Sequence, residues 1–410
     1  MKIAGLSLLT CLWLLLSACT SNPDLSRLGD SATGEDRRVV VTFADRTINR
    51  ASPGNSLDGY RTRGQYNNSG WSERIARELA DRHHLQMIAQ WPVTALQISC
   101  VVYEVPKQFK LQQVMANLQS DRQVTLVQPM QTFQVRSNDQ PPSADLHGDP
   151  YLPLQVGYKL LGVEDLHKMA TGRGVRIALI DTGVDLEHPD LQGQIKYWEN
   201  VAPEPPDHNL ADIHGTAVAG VLSARPENDI GIAGIAPDAE VLAFRACWPE
   251  KPDALAAHCN SFTLAVALNL AIRMNSQIIN LSLSGPEDPL LRQLIEKALS
   301  DGIIVIAAVP EKDQIGGFPA NIPGVLAVGR GNEAQKPEII APGQDILTTV
   351  PHRAYDFMTG SSFATPHVAG LAALLLQLNP GWRTADIKQR LSGDSSSVSS
   401  SLLGVASAAK

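Results

Sequence analysis

Ser362 stands in the run Thr359-Gly360-Ser361-Ser362-Phe363-Ala364-Thr365-Pro366-His367-Val368-Ala369-Gly370, just before an apolar stretch, Val368 to Leu376, that reads as a buried helix. This spacing puts the hydroxyl at or near a helix N-terminus, where unpaired N–H groups and the positive dipole end favour a developing anion. A serine becomes a nucleophile only with a base and an acid that orients the base. His214, in His214-Gly215-Thr216-Ala217-Val218-Ala219-Gly220, is the base in reach of that role, its small neighbours letting a helix pack tightly and leave the ring facing a cleft. Asp181 ends the apolar run Val175 to Ile180 and is the orienting acid. The chemistry open to this set is acyl transfer: Asp181 holds the His214 tautomer, His214 takes the Ser362 proton, and Ser362 attacks a carbonyl. Taken singly, each residue also has a structural reading, Ser362 as a helix cap and Asp181 as an ordinary strand-end carboxylate.

The elements that must position these residues are of α/β type. Five of the six residues in Val175 to Ile180 are apolar, which reads as a strand buried on both faces, and ligand sites of open α/β sheets form at strand C-termini. The three motifs, in the order Asp181, His214, Ser362, resemble the subtilisin-like serine proteases. The resemblance covers most of Leu154 to Ala409 and includes Gly231-Ile232-Ala233-Gly234-Ile235-Ala236-Pro237, Ile278 to Gly285, Ala341-Pro342-Gly343, Asn379-Pro380 and Leu403-Gly404-Val405. It implies a mostly parallel sheet between helices and a serine endopeptidase acting through an acyl-enzyme on peptide or protein substrates, with no cofactor needed for the chemistry. It further implies that Ser282, Leu283, Ser284 and Gly285 form the edge that pairs with substrate backbone, and that Gly317, near Phe318-Pro319, floors the first specificity pocket. Relatives bind structural calcium at positions similar to Asp190 and Asn228; the same residues also read as a solvated acidic loop. The Gly-x-Ser-x-Gly elbow of α/β hydrolases does not occur at Ser362, which argues against a non-peptide acyl hydrolase.

The pattern breaks at two places, of which Ala217, where many relatives carry a second His, is the lesser because it is not part of the triad. In this family a side-chain amide, from an Asn after a strand ending in small residues, helps the nucleophile's own N–H to bind the oxyanion. Here the strand Ile303 to Ala308 continues Val309-Pro310-Glu311, and Glu311 falls at the amide's place. An ionised Glu cannot donate a hydrogen bond and would repel the oxyanion, whereas a neutral one could donate. Loss of one such donor costs about 10²–10³ in turnover in the family's own type enzyme. Lys312, Gln314 and Asn321 are alternative donors, and a peptide-binding pseudoprotease is the alternative function.

The chain has 410 residues, 44% of them hydrophobic, and a net charge of −8, which suits two ordinary cores and speaks against a nucleic-acid partner. Residues 1–18 read as a signal peptide, since Lys2 precedes an apolar run, Ile3 to Leu16, too short to span a bilayer comfortably. Leu16-Ser17-Ala18-Cys19 resembles a bacterial lipobox, which implies an exported, envelope-located protein held to membrane lipid through Cys19, by a polar tether over 19–36. The alternative is a simple secretory peptide cut after Ala18. Cys247 and Cys259 flank a proline-containing loop and are either a disulfide or two free thiols, and Cys100 reads as core. Residues 37–137 show a βαββαβ pattern, the ferredoxin-like arrangement. Placed before a subtilisin-like domain at 151–410, this unit resembles the family's inhibitory propeptide, with 138–150 as a polar linker and processing zone.

Overall fold

The computed structural model describes residues 37–45, 68–135, 138–139, 149–203, 205, 210–251, 253–311, 316–331, 333 and 335–392. The signal peptide, Cys19, the tether, most of the linker and Leu403-Gly404-Val405 lie outside these residues.

The N-terminal unit contains β1 (Arg38–Ala44), α1 (Gly70–His83), β2 (Gln86–Val93), β3 (Ile98–Glu104), α2 (Leu111–Gln119) and β4 (Leu126–Pro129). The sheet order is β2-β3-β1-β4, antiparallel at every pairing, as the βαββαβ pattern anticipates. Strand β2 holds Pro92, which an edge strand tolerates because its missing N–H need not pair. Alternation decides what each face meets. Val39, Val41, Phe43, Val101 and Tyr103 pack with Ile75 and Leu79 of α1 and Val114 and Leu118 of α2. Val40, Trp91, Val93, Cys100 and Val102 turn the other way, into a core shared with the rest of the molecule.

The larger unit follows. After β5 (Thr132–Val135), the last strand before residue 137, β6 (Asn138–Asp139) leads to short helices α3 (Val156–Leu160) and α4 (Val163–His167), then β7 (Arg176–Asp181), β8 (Ile195–Asn200), α5 (Ile213–Ser223), β9 (Glu240–Arg245), β10 (Cys247–Pro249), β11 (Ala257–Asn260), α6 (Ser261–Arg273), β12 (Ile278–Leu281) and α7 (Pro289–Ser300). Next come β13 (Ile304–Ala308), β14 (Leu326–Gly329), β15 (Ile339–Ile340), β16 (Ile346–Val350), β17 (Ala354–Thr359), α8 (Ser361–Leu378) and α9 (Thr384–Leu391). Seven strands form a sheet in the order β15-β14-β13-β12-β7-β9-β8, parallel at every pairing. Along β7, Ala178 and Ile180 face the core built by α6 and α7, while Ile177 and Leu179 face α5 and α8. Both faces are covered, so these strands read as continuous apolar runs.

Two hairpins frame the cleft. Cys247 and Cys259 are directly opposed in β10–β11 and disulfide-bonded, which closes the open alternative in the sequence, and Cys100 is a buried free thiol. Strand β5 joins this hairpin antiparallel to β11, and β6 joins the β16–β17 hairpin at Met358 and Thr359. The segment expected to begin a linker at 138 therefore begins as a strand.

Candidate active site

Asp181 closes β7 in the middle of the sheet, 1% exposed. Its Oδ1 accepts from His214 Nδ1 at 2.7 Å and from the Thr182 N–H at 2.7 Å. His214 is the second residue of α5 and is likewise buried, and its Nε2 makes no hydrogen bond among the described residues. The start of α5 is fitted closely against the loop after β7. The Gly215 N–H donates to Thr182 Oγ1 at 2.8 Å, and a Cβ on Gly215 would lie 2.5 Å from the Thr182 carbonyl oxygen, so only glycine fits beside His214. Asp212, just ahead of the helix, accepts from the Gly183 N–H at 2.8 Å and from Arg245 Nε at 2.9 Å. Arg245 is 1% exposed at the end of β9. This buried pair fastens the approach to α5 to the neighbouring strand; an arginine ending an otherwise apolar strand was its one sign in the sequence.

Ser362 is the second residue of α8, whose start lies earlier than the apolar run alone suggests. Phe363 brings this turn to His214: its ring lies 5.3 Å from the imidazole. Pro366 explains a further contact. Lacking an N–H, it cannot take the i−4 carbonyl of Ser362, and Ser282 Oγ donates to that carbonyl instead, at 2.8 Å. Ser282 thus ties the end of β12 to the first turn of α8. The Ser361 hydroxyl donates to the Val309 carbonyl at 2.7 Å.

The candidate substrate edge is in use within the chain itself. Gln134 and Ser284 exchange backbone hydrogen bonds at 3.1 and 3.4 Å, so β5 is held between β11 and the Ser282–Gly285 segment. Phe133 is fully buried, 5.9 Å from Phe318 centre to centre, and a Cβ on Gly285 would fall 2.2 Å from its ring. Leu283 is buried in the core beneath. Gly317 precedes the cis Phe318-Pro319 bond, and its Cα faces the Gln335 side chain.

Glu311 departs from the expected donor role. Its Oε1 accepts from the Ser361 N–H at 2.8 Å and from Arg330 Nε at 3.3 Å, and its Oε2 accepts from Arg330 Nη2 at 3.1 Å. Both oxygens are acceptors, as an ionised carboxylate between a guanidinium and a helix N-terminus must be. Of the alternative donors, Asn321 is turned to Glu287 Oε1, 2.9 Å away, while Lys312 and Gln314 lie outside the described residues.

Asp190 and Asn228, the candidate calcium ligands, are bonded to each other and to neighbouring donors. Asn228 Nδ2 donates to Asp190 Oδ1 at 2.9 Å; the Ile232 N–H and Tyr355 hydroxyl donate to Oδ2 at 2.9 and 3.0 Å. Asp190 faces donors where a cation site presents oxygen lone pairs, and burial raises its carboxyl above the usual range. Among the described residues no cluster of three or more His, Cys, Asp or Glu side chains is gathered to hold a metal.

The subtilase family model matches residues 172–400. The chain belongs to the subtilase family. It is 34% identical over 248 residues to subtilisin of Bacillus pumilus, covering 56% of this chain and 87% of that one. With subtilisin E of Bacillus subtilis it shares 35% identity over 238 residues, 54% of this chain and 60% of the relative. The crystal structure of fervidolysin from Fervidobacterium pennivorans superposes with a TM-score of 0.67 at 19% identity, over 88% of this chain and 57% of that one, a likeness of fold. The protein is thus a subtilisin-like serine protease, and subtilase chemistry needs no cofactor.

Proposed function

We propose that this subtilase is a serine endopeptidase in which Asp181, His214 and Ser362 form the catalytic triad, and that it cuts its own N-terminal unit free. The observation that carries the triad is the 2.7 Å Asp181–His214 bond. That bond suits a tautomer with its proton on Nδ1, and Nε2, the nitrogen a general base uses, makes no hydrogen bond among the described residues, while the ring of Phe363, next to Ser362, lies 5.3 Å from the imidazole. The Ser362 N–H, among the orphan donors of that helix, meets the oxyanion. The pseudoprotease alternative rested on Glu311 opposing that charge, and Arg330 offsets it.

Self-cleavage is supported by the path of the chain. Strand β5 ends at Val135 on one side of the cleft, and β6 begins at Asn138 beside Thr359, three residues before Ser362. The cut is expected between Val135 and Asn138, at the near end of the polar zone, with Phe133 as an anchoring side chain. The N-terminal unit then acts as propeptide and first substrate. Export and lipidation at Cys19 are part of the same proposal, motivated by Leu16-Ser17-Ala18-Cys19; palmitate labelling that is lost in Cys19→Ser is the expected result.

Ser362→Ala should abolish both self-cleavage and labelling by a fluorophosphonate while the melting temperature stays within a few degrees, because the change removes one oxygen at a cleft. His214→Ala should be about as damaging, since triad members act as a unit. Turnover close to wild type in Ser362→Ala would sink the assignment.

A further inference from the structure

Glu311 and Arg330 leave adjacent parallel strands at the same end. Glu311 lies three residues beyond β13, and Arg330 directly follows β14. Both reach the start of α8 and are largely shielded, with side chains 22% and 16% exposed. The carboxylate takes the N–H of Ser361, the first residue of the helix, at 2.8 Å. Next to it the Gly360 N–H is held by the Gly343 carbonyl at 2.8 Å, and a Cβ on Gly343 would lie 3.0 Å from Arg330 Cβ, so the arginine stem packs beside the same turn. Among the described residues Glu333 also lies here, its Oε1 accepting from the Arg330 N–H at 2.5 Å.

A carboxylate one residue from Ser362 has two opposing effects. It fixes the helix start by satisfying an orphan N–H, but its charge opposes any anion forming at the neighbouring N–H. A guanidinium held against it removes the second effect and keeps the first. We propose that Glu311 and Arg330 are a positioning pair for the proteolytic reaction: Glu311 sets the first turn of α8 and so the Ser362 hydroxyl and N–H, and Arg330 neutralises the carboxylate so that the helix still favours the oxyanion. The pair occupies the place where relatives carry an amide donor, yet it acts through the helix and touches no substrate. This inference rests on the triad reading above.

The test uses the full chain and an internally quenched peptide copying residues 130–141. Fluorophosphonate labelling of wild type at Ser362 is read first; its failure would sink the triad reading and the pair's role with it. With labelling secured, Arg330→Gln is expected to lower kcat about 10-fold or more while KM stays within about twofold, the mark of a loss confined to the transition state. Adding Glu311→Gln, which keeps an oxygen for the Ser361 N–H but removes the charge, should restore kcat to within about threefold of wild type. Melting temperatures report folding, and Arg330→Lys, which keeps the charge, should retain most of kcat. Wild-type kcat in Arg330→Gln, a loss that appears in KM, or a double variant no better than Arg330→Gln would each overturn the proposal.

Discussion

At the scale of single residues, the site depends on groups held in one protonation state by their surroundings. His367, in the second turn of α8, shows this away from the chemistry. It is 3% exposed, its Nδ1 bonds the Phe363 carbonyl at 2.8 Å, and burial lowers its pKa to about 4. The ring is therefore neutral in the fold, whereas in the unfolded chain it takes a proton near pH 6.5. Its contribution to stability is complete above about pH 6.5 and is lost as pH falls from there toward 4, at up to about 1.4 kcal/mol per pH unit. Denaturation of the Ser362→Ala protein, which cannot digest itself, should show this slope. Adding His367→Gln should flatten it between pH 6.5 and 4; an unchanged slope would assign the loss to other groups.

Among elements, the sites that were legible in the sequence are those where an element ends on a chemically distinct residue. Asp181 closing an apolar strand, and Ser362 opening an apolar helix behind a glycine, are visible because periodicity marks the element and its end. The βαββαβ order was legible for the same reason, as alternation along β1 and helical spacing along α2 are local properties. The Asp212–Arg245 and Glu311–Arg330 pairs were not legible as pairs, because each joins residues far apart in the chain that only the folded sheet and its helices bring together. The contacts of Asp190 were hidden in the same way: the sequence shows Asp190 and Asn228 but not that the Asn amide donates to the carboxylate, nor that Tyr355 arrives from β17. The cleft edge gives an element-scale prediction. Gly285 is required because Phe133 packs on its Cα, where a Cβ would stand 2.2 Å from the ring. Gly285→Ala should expel the Phe133 ring and slow self-cleavage of the intact chain, while a small peptide lacking an aromatic at the position of Phe133 is hydrolysed as before. Time courses of processing on gels would check this, and equal processing rates would show that Phe133 does not anchor the strand.

For the whole molecule, the two units are joined by more than the strand in the cleft. Trp91 stacks edge-on against Phe262 of α6 with ring centres 4.2 Å apart. Gln128 Nε2 donates to Asp288 Oδ2 at 2.7 Å, and its Oε1 accepts the Leu290 N–H at 3.1 Å at the start of α7. Thr94 Oγ1 and the Ala95 N–H both donate to Asn269 Oδ1 on α6, at 3.2 and 3.0 Å. One face of the N-terminal sheet thus completes the core over α6 and α7, and removing it would bare the apolar side chains it covers. Cutting the chain between Val135 and Asn138 breaks none of these contacts, so cleavage alone is expected to leave a complex, and release must come from a second event such as digestion of the N-terminal unit. Trp91 separates the two steps, because it faces the larger unit and not α1 or α2. Truncating a buried aromatic costs about 3–5 kcal/mol, or about 10²–10⁴-fold in affinity. Trp91→Ala should therefore leave the cut in place but let the fragments separate on size exclusion, with earlier onset of activity on added peptide. Wild-type fragments that already elute apart would show that the shared core does not hold the units together once the chain is cut.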